Sequence, residues 1–507
     1  MFIKKSLLAV ALTAITAFAT SAAAQEGKTK LEDVPSKVTL FKNVKVFNGS
    51  DDKRQDVDVL VVGNKVHKVA KDIPASGTYE VEVDTGQSTY VPSAFGTGDT
   101  YQLRVIEQSG KTETKEVEVS VIDGGGRTLM PGLHDQHVHF SMFNPLSDGE
   151  RQNLTPFHVG GVATLRAKRI LMNGFTTVRD MGGPAKFVQR IVDAGLIPGP
   201  RIFPSENYIT QTSGHGDLRK LNDRHPALSG QGPDHWFETD VSFIVDGPDA
   251  IRMAVRENLR RGATQIKIMG SGGVTSEFDP LHSVQYQPDE IQMAVKTAAQ
   301  WKTYVASHVH NPEAIIQAVQ NGVTVVEHIP FLTQEAADLM VEKKVMFATA
   351  VAPVFSVSVE QAEKFYTPSS FKKWKMARDA AGNMLKIIKT TPGMIDLYTL
   401  GTDLVNNWDK TLEQDKKMND EFLYLHKAGF SAYDILRIAT SNGARMNELT
   451  GPNNPYQDGP LGVIKEGAYA DILVVDGNPL DDITLLAKPD ENFKIIMKDG
   501  KIYKNTL

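Results

Sequence analysis

The sequence predicts an α/β protein whose middle is a (β/α)8 TIM-type barrel. Three observations carry this. Short apolar strands alternate with amphipathic helices between residues 131 and 457, eight such strands can be counted, and residues with chemical potential end several of them. An open doubly wound sheet would begin with a Gly-rich first turn, which this chain lacks.

Taken in order, the chain opens with Met1-Phe-Ile-Lys-Lys5, an apolar run from Leu7 to Phe18, and Ala22-Ala-Ala24 before Gln25. A basic start, a short apolar core and a small-residue exit predict a secretory signal over residues 1–24 and an exported, periplasmic protein. The apolar run is too short to span a bilayer, and no later run is longer, so no membrane insertion is expected after cleavage. Loss of Lys4 and Lys5 makes the chain more acidic than its full-length formal charge of −6. With no Lys/Arg cluster, this balance excludes a nucleic-acid partner. There is no cysteine, so disulfides are excluded and burial must hold the fold together.

Residues 25–130 contain short strands, Val38–Leu40, Val44–Val46 and Val59–Val62, broken by Asn48-Gly49 and Gly63-Asn64. Alternation continues in a β-rich segment at about 76–121 through Tyr79–Val83, Tyr101–Val105 and Val117–Val121, with a Gly/Ser/Thr-rich stretch over 84–100. Residues 458–507 return to the same style in Asp471–Val475, Phe493–Met497 and Lys501–Tyr503. In the middle, the expected strands are the one carrying His137, then Thr176–Asp180, Arg201–Phe203, Gln265–Met269, Tyr304–His308, Thr324–His328, Met346–Ala350 and Tyr398–Thr402. Pro288–Trp301, Pro312–Gln320 and Gln334–Glu342 are expected helices between them.

In such a barrel chemistry collects at the C-terminal strand ends. His137 and His139, two apart on a strand, face the same way and can share one ion. His308 and His328 are one strand-to-strand step apart, which predicts neighbouring strands and equal height. Lys267 sits within Ile-Lys-Ile, and Asp403 ends the last strand. Singly, a histidine could be packed in the core, the lysine paired with a buried acid and the aspartate a helix cap. Together, six such residues at strand ends point to a metal centre. A lysine buried beside cations has its pKa depressed, and a neutral amine can capture carbon dioxide as a carbamate able to bridge two ions.

Met130-Pro-Gly-Leu-His-Asp-Gln-His-Val-His139 resembles the opening signature of the amidohydrolase superfamily. Gly174–Asp180, Gly199–Ile202, Ser213-Gly-His-Gly-Asp217, Gln265–Gly273, Ser307-His308, Val326-Glu-His328, Gly401-Thr-Asp403 and Ala470–Pro479 resemble its branch of imidazolonepropionase-like proteins, Xaa-Pro dipeptidases and ochratoxin-type carboxypeptidase/amidases. The likeness covers residues 37–73 and 122–507. It implies two divalent metal ions, zinc first among them. His137 and His139 would hold the more buried ion, His308 and His328 the more exposed one, N6-carboxylated Lys267 would bridge them, and Asp403 would be both ligand and catalytic base. It also implies that the two β-rich ends form a small sandwich, which the segment at 76–121 would enlarge. Where the family commonly has glycine after the sixth-strand histidine, this chain has Ile329-Pro330, which puts bulk at the rim of the pocket.

The expected reaction is hydrolysis of an amide in a small molecule, a dipeptide or an N-acyl amino acid. A cyclic-amide or imidazolone hydrolase, or a deaminase, is the alternative on the same scaffold, and a non-catalytic binding protein is a third. His215, His310 and Tyr286 are the candidate substrate contacts, the last through its phenol. A homo-oligomer is compatible with the sequence.

Overall fold

The structure, a computed structural model, describes residues 27–28, 37–75, 79–82, 87–92, 100–105, 112–115, 118–142, 155–229, 241–405 and 411–507. The expected signal segment, residues 1–24, lies outside them. No helix among the described residues is long and apolar enough to cross a membrane. The chain divides into two units, residues 1–40 with 74–121, and residues 41–73 with 122–507.

The first unit is antiparallel. Tyr79–Glu82 pairs with Thr112–Lys115, and Gln87–Pro92 lies between Gly27–Lys28 and Thr100–Val105. Residues 74–121 cluster with residues 1–40. Within the segment, strand 79–82 pairs with 112–115 and strand 87–92 with 100–105. The strand Gln87–Pro92 falls in the Gly/Ser/Thr-rich stretch, where Thr89-Tyr90-Val91 supplies β-branched and aromatic residues.

In the second unit, strands from both ends of the chain share one six-stranded sheet. Its order is Lys501–Asn505, Phe493–Lys498, Ile472–Val475, Thr128–Pro131, Lys45–Val46 and Gln55–Asp56. Asp58–Val62 and Lys65–Ala70 form a hairpin about Gly63-Asn64. Val46, Val59, Val61, Leu129, Val474 and Ile495 bury one core here.

Ten parallel strand pieces carry the rest of this unit. They are β1 (Leu133–Val138), β2 (Phe175–Asp180), β3 (Arg201–Pro204), β4 (Tyr208–Thr210), β5 (Ser242–Ile244), β6 (Ile266–Met269), β7 (Val305–Val309), β8 (Val325–His328), β9 (Met346–Thr349) and β10 (Tyr398–Leu400). One sheet runs β1-β2-β3 and the other β5-β4-β6-β7-β8-β9-β10. Nearly every residue of these strands is buried, as expected where both faces of a parallel sheet are covered. The expected third strand, Arg201–Phe203, is β3, and a further strand that was not expected, β4, follows it after Glu206, which adopts φ 58°. Helices separate the strands and start where the sequence caps them. Pro288–Gln300 opens with a Gln287/Glu290 capping box, and the Asn311 side chain accepts from Ala314 N at the start of Pro312–Gln320.

Arg201, at the start of β3, joins this layer to the antiparallel sheet. Its guanidinium pairs with Asp471 at 3.0 Å and Asp499 at 2.7 Å and lies 3.8 Å over the Tyr469 ring. The side chain is buried, so removing it strands the buried Asp471 carboxylate without its cation. Arg201→Met is expected to cost about 3–5 kcal/mol in a denaturant titration. A loss below about 1 kcal/mol would show that the pair is not holding the layers together.

Candidate metal and active site

The residues expected to do chemistry converge at the C-terminal ends of the parallel strands. His137 and His139, at the end of β1, bring Nε2 to 3.5 Å and 3.4 Å from Asp403 Oδ1. His328, ending β8, places Nδ1 3.6 Å from Asp403 Oδ2. His137, His139 and Asp403 thus offer three ligand atoms within 4.8 Å of one another. His308 on β7 joins them, with its ring centroid 4.6 Å from that of His328. Lys267, on β6, is fully buried and lines the same cavity.

His308 and His328 lie on neighbouring strands but not at equal height. His308 pairs in register with Glu327, and Val309 with His328. His328 reaches the cluster because its backbone leaves the strand at φ 74°, and Ile329 follows at φ 49°. A regular strand would have turned Glu327 and His328 to opposite faces. The break lets both act at one centre, at a strain cost of about 1–3 kcal/mol per residue. Ile329 turns into the core, while Pro330 forms part of the cavity rim.

Glu327 was not among the expected site residues. Its carboxylate accepts from Arg179 Nη2 at 2.6 Å and contacts His137 Nδ1 at 2.8 Å, all three groups being buried. Burial works to raise the Glu327 carboxyl, but Arg179 and His137 outweigh it and hold the group down at about 2. Arg179 also donates to Gln136 O at 2.7 Å and Tyr304 Oη at 3.0 Å. The ionised carboxylate favours the His137 proton on Nδ1, which leaves Nε2 free to coordinate an ion. An acid directly before His328 on an otherwise apolar strand was the available signal.

Two further buried acids shape the floor. Asp135 accepts from His137 N at 3.0 Å, Thr402 N at 3.1 Å and Thr402 Oγ1 at 2.6 Å, tying β1 to the end of β10. Asp180 accepts from Phe140 N at 2.8 Å and Gly182 N at 3.0 Å, fixing the turn after His139. Burial pushes Lys267 down to about 8, with Glu327 and Asp403 opposing that shift. Burial also acts to raise Asp403, but the imidazoles of His137, His139 and His328 hold its carboxyl well below the usual range.

His215 stacks on His308 at 4.1 Å, and its Nδ1 meets Ser276 Oγ at 2.6 Å and Asp279 Oδ2 at 3.2 Å. Gly273 makes room for that ring, since a Cβ there would lie 2.1 Å from it. His310 lines the cavity beside His308, with ring centroids 4.5 Å apart. Tyr286 does not join them. Its phenol is buried and donates to Val245 O at 3.1 Å, so the hydroxyl expected to contact substrate is spent on the backbone. The left-handed conformation of Tyr286, φ 65°, turns the side chain toward β5 rather than the cavity.

The cavity has a volume of about 560 Å³. Its outer wall is apolar, built by Val351, Val354, Phe355, Phe365, Tyr366 and Trp374. Glu421 holds the start of this wall by accepting from Val351 N and Ala352 N, each at 2.8 Å.

Residues 128–503 match the Amidohydrolase family. The chain belongs to the amidohydrolase family. It is 29% identical to ochratoxinase from Aspergillus niger over 388 residues, covering 74% of this chain and 75% of that protein. The crystal structure of an amidohydrolase superposes with a TM-score of 0.75 at 30% identity, over 93% of this chain and all of that one. A prolidase crystallised with N-methylphosphonate-L-proline gives 0.73 at 29% identity, over 92% and 100%.

As an amidohydrolase the protein is a hydrolase acting on carbon–nitrogen bonds, with a fold of TIM-barrel type. The residues at the cavity floor fit a metal. His308 Nε2 and His310 Nδ1 are buried nitrogens with no hydrogen-bond partner among the described residues. Together with the His137, His139 and Asp403 atoms they form a nitrogen and carboxylate donor set suited to a divalent ion. Glu327→Gln removes the charge that orients His137, so metal affinity is expected to fall about 10- to 100-fold in a chelator competition. An affinity equal to that of the unaltered protein, with the fold intact by thermal unfolding, would contradict this role.

Proposed function

We propose that the protein is an exported, binuclear metal-dependent amidohydrolase that hydrolyses the amide bond of a dipeptide or an N-acyl amino acid. The observation that carries this reading is the gathering of His137, His139, Lys267, His308, His328 and Asp403 on the floor of one cavity with an apolar outer wall. The relatives' names support it: one is an ochratoxinase and another a prolidase holding a phosphonate of L-proline. The proposal includes closure of the parallel strands into a (β/α)8 barrel, with the six-stranded sheet and its hairpin as a small sandwich. It also includes release of residues 1–24 on export to the periplasm, supported by their basic, apolar and alanine-rich order.

His137 and His139 would hold one ion, His308 and His328 the other, and Lys267, carboxylated by carbon dioxide, would stand between them with Asp403. Burial of Lys267 supports the modification, because it favours the neutral amine that reacts. Two divalent ions, zinc by the character of these ligands, would supply Lewis acidity and an activated water at neutral pH.

The protein's own groups do the rest. Glu327 and Arg179 keep His137 in one tautomer and one orientation. Asp403 stays ionised, so its carboxylate can accept a proton from the attacking water and return it to the leaving amine. Ser276 and Asp279 hold His215 by Nδ1, leaving the rest of its ring to face the substrate. The apolar wall excludes bulk water around the scissile bond and strengthens each of these interactions.

An assay of metal-stripped protein restored with zinc and bicarbonate tests the reading. N-acyl amino acids and Xaa-Pro dipeptides should be hydrolysed only after restoration, and Asp403→Ala should lower kcat about 10²- to 10⁴-fold. Turnover confined to cyclic ureides or aminopurines would replace the reading with the alternative on the same scaffold. No turnover and only trace metal would favour a binding protein.

A further inference from the structure

The metal cluster occupies the floor of the cavity, and the wall above it is apolar. Apart from Lys267, Asp403 and the imidazoles, Lys417 is the one charged side chain lining the cavity among the described residues; no arginine or glutamate does so. Lys417 is exposed and belongs to the short 3₁₀ turn Asp415–Asn419. No carboxylate pairs with it among the described residues, and Asp420 interacts with it only at longer range.

The turn that carries Lys417 is unusually well anchored. Asp415 is fully buried and accepts from Arg166 Nε at 3.2 Å and Nη2 at 3.1 Å. The same guanidinium donates to His139 O and, at 3.0 Å, to Leu404 O, the residue after Asp403. Asn173 Nδ2 donates to Asp415 O at 2.6 Å, and Asn419 Nδ2 donates to Asn173 O at 3.1 Å. One buried arginine therefore references the turn bearing Lys417 to the backbone of two cluster strands. An exposed lysine on a mobile loop would be an ordinary solvated charge. This one sits over an apolar cavity at a position fixed relative to the reacting centre.

We propose that Lys417 binds a free carboxylate of the substrate and so selects N-acyl amino acids and C-terminal residues over uncharged amides and internal peptide bonds. This rests on the amide-hydrolase reading above. A carboxylate entering a cavity with apolar walls loses hydration, which is costly unless a cation meets it. With the floor cluster engaged with the scissile group, Lys417 is the exposed cation that the described lining offers to a carboxylate elsewhere on the same molecule. Its flexible stem can follow carboxylates at slightly different distances from the scissile bond, whereas a planar guanidinium would fix one geometry.

The test is binding by titration calorimetry to the zinc-loaded full chain, which does not depend on turnover. The probe is a ketomethylene isostere of N-benzoyl-phenylalanine, prepared as the free acid and as the carboxamide. The unaltered protein should bind the acid about 10- to 100-fold more tightly than the carboxamide, the range of a charge-assisted hydrogen bond. Lys417→Met should abolish that preference while leaving carboxamide affinity within about threefold, and Lys417→Arg should restore part of it. Equal binding of acid and carboxamide, equal losses for both in Lys417→Met, or binding of neither would overturn the proposal. A Lys417-dependent preference without hydrolysis of the parent amide would keep the proposal and reject the amide-hydrolase reading.

Discussion

The Glu327 carboxylate is shared between Arg179 at 2.6 Å and His137 at 2.8 Å, inside a region with no access to water. Buried ion pairs are poor evidence of stability, because desolvation consumes much of the Coulomb gain. What this pair supplies is direction. Arg179 also grips Gln136 O on β1 and the Tyr304 phenol before β7, so one guanidinium references three strands to one carboxylate. His137 is aimed by that carboxylate, and the opening for Asp403 follows from where His137 stands.

The second layer of the design is backbone strain at the strand ends. His328, Ile329 and Asp403 all adopt positive φ, which costs free energy unless the surroundings determine it. Here they do. Ile329 N donates to Val309 O at 3.1 Å, Thr349 Oγ1 donates to His328 O at 2.7 Å, and Asp403 N donates to His137 O at 2.8 Å. These bonds hold the strand ends out of regular geometry and turn side chains from β1, β8 and the end of β10 into a common space. The position after His328 shows how this was achieved without glycine: Ile329 gains burial in the core, which offsets its strained conformation.

Much of this was legible because the sequence writes strand ends in plain chemistry. An apolar parallel strand with histidine or aspartate at its end, or a lysine inside it as in β6, stands out against its own background, as β1, β6, β7, β8 and the segment after β10 do. What periodicity could not supply was any residue whose direction depends on a broken alternation. Glu327 and His328 are adjacent, and the period-two rule sends them apart. Tyr286 misled for the same reason, since its left-handed backbone spends the phenol on Val245 O. Arg166 with Asp415, 249 positions apart, and Arg201 with Asp471, 270 apart, are contacts that single-sequence reasoning has no means of pairing. The β-rich segment at 76–121 was recognised as strands, but whether it joins a neighbouring sheet or pairs within itself is a question of register that alternation leaves open.

Six residues carried by five strands or the segments after them are proposed to form one cage for two ions, with Lys267 between them. Anomalous diffraction from crystals of the zinc-loaded protein, grown with bicarbonate, tests it most directly. Two anomalous peaks about 3.5–4 Å apart are expected, one bounded by His137 and His139 and the other by His308 and His328, with added density on Lys267 Nζ. A single peak, or two peaks with an unmodified Lys267 amine pointing away from both, would contradict it.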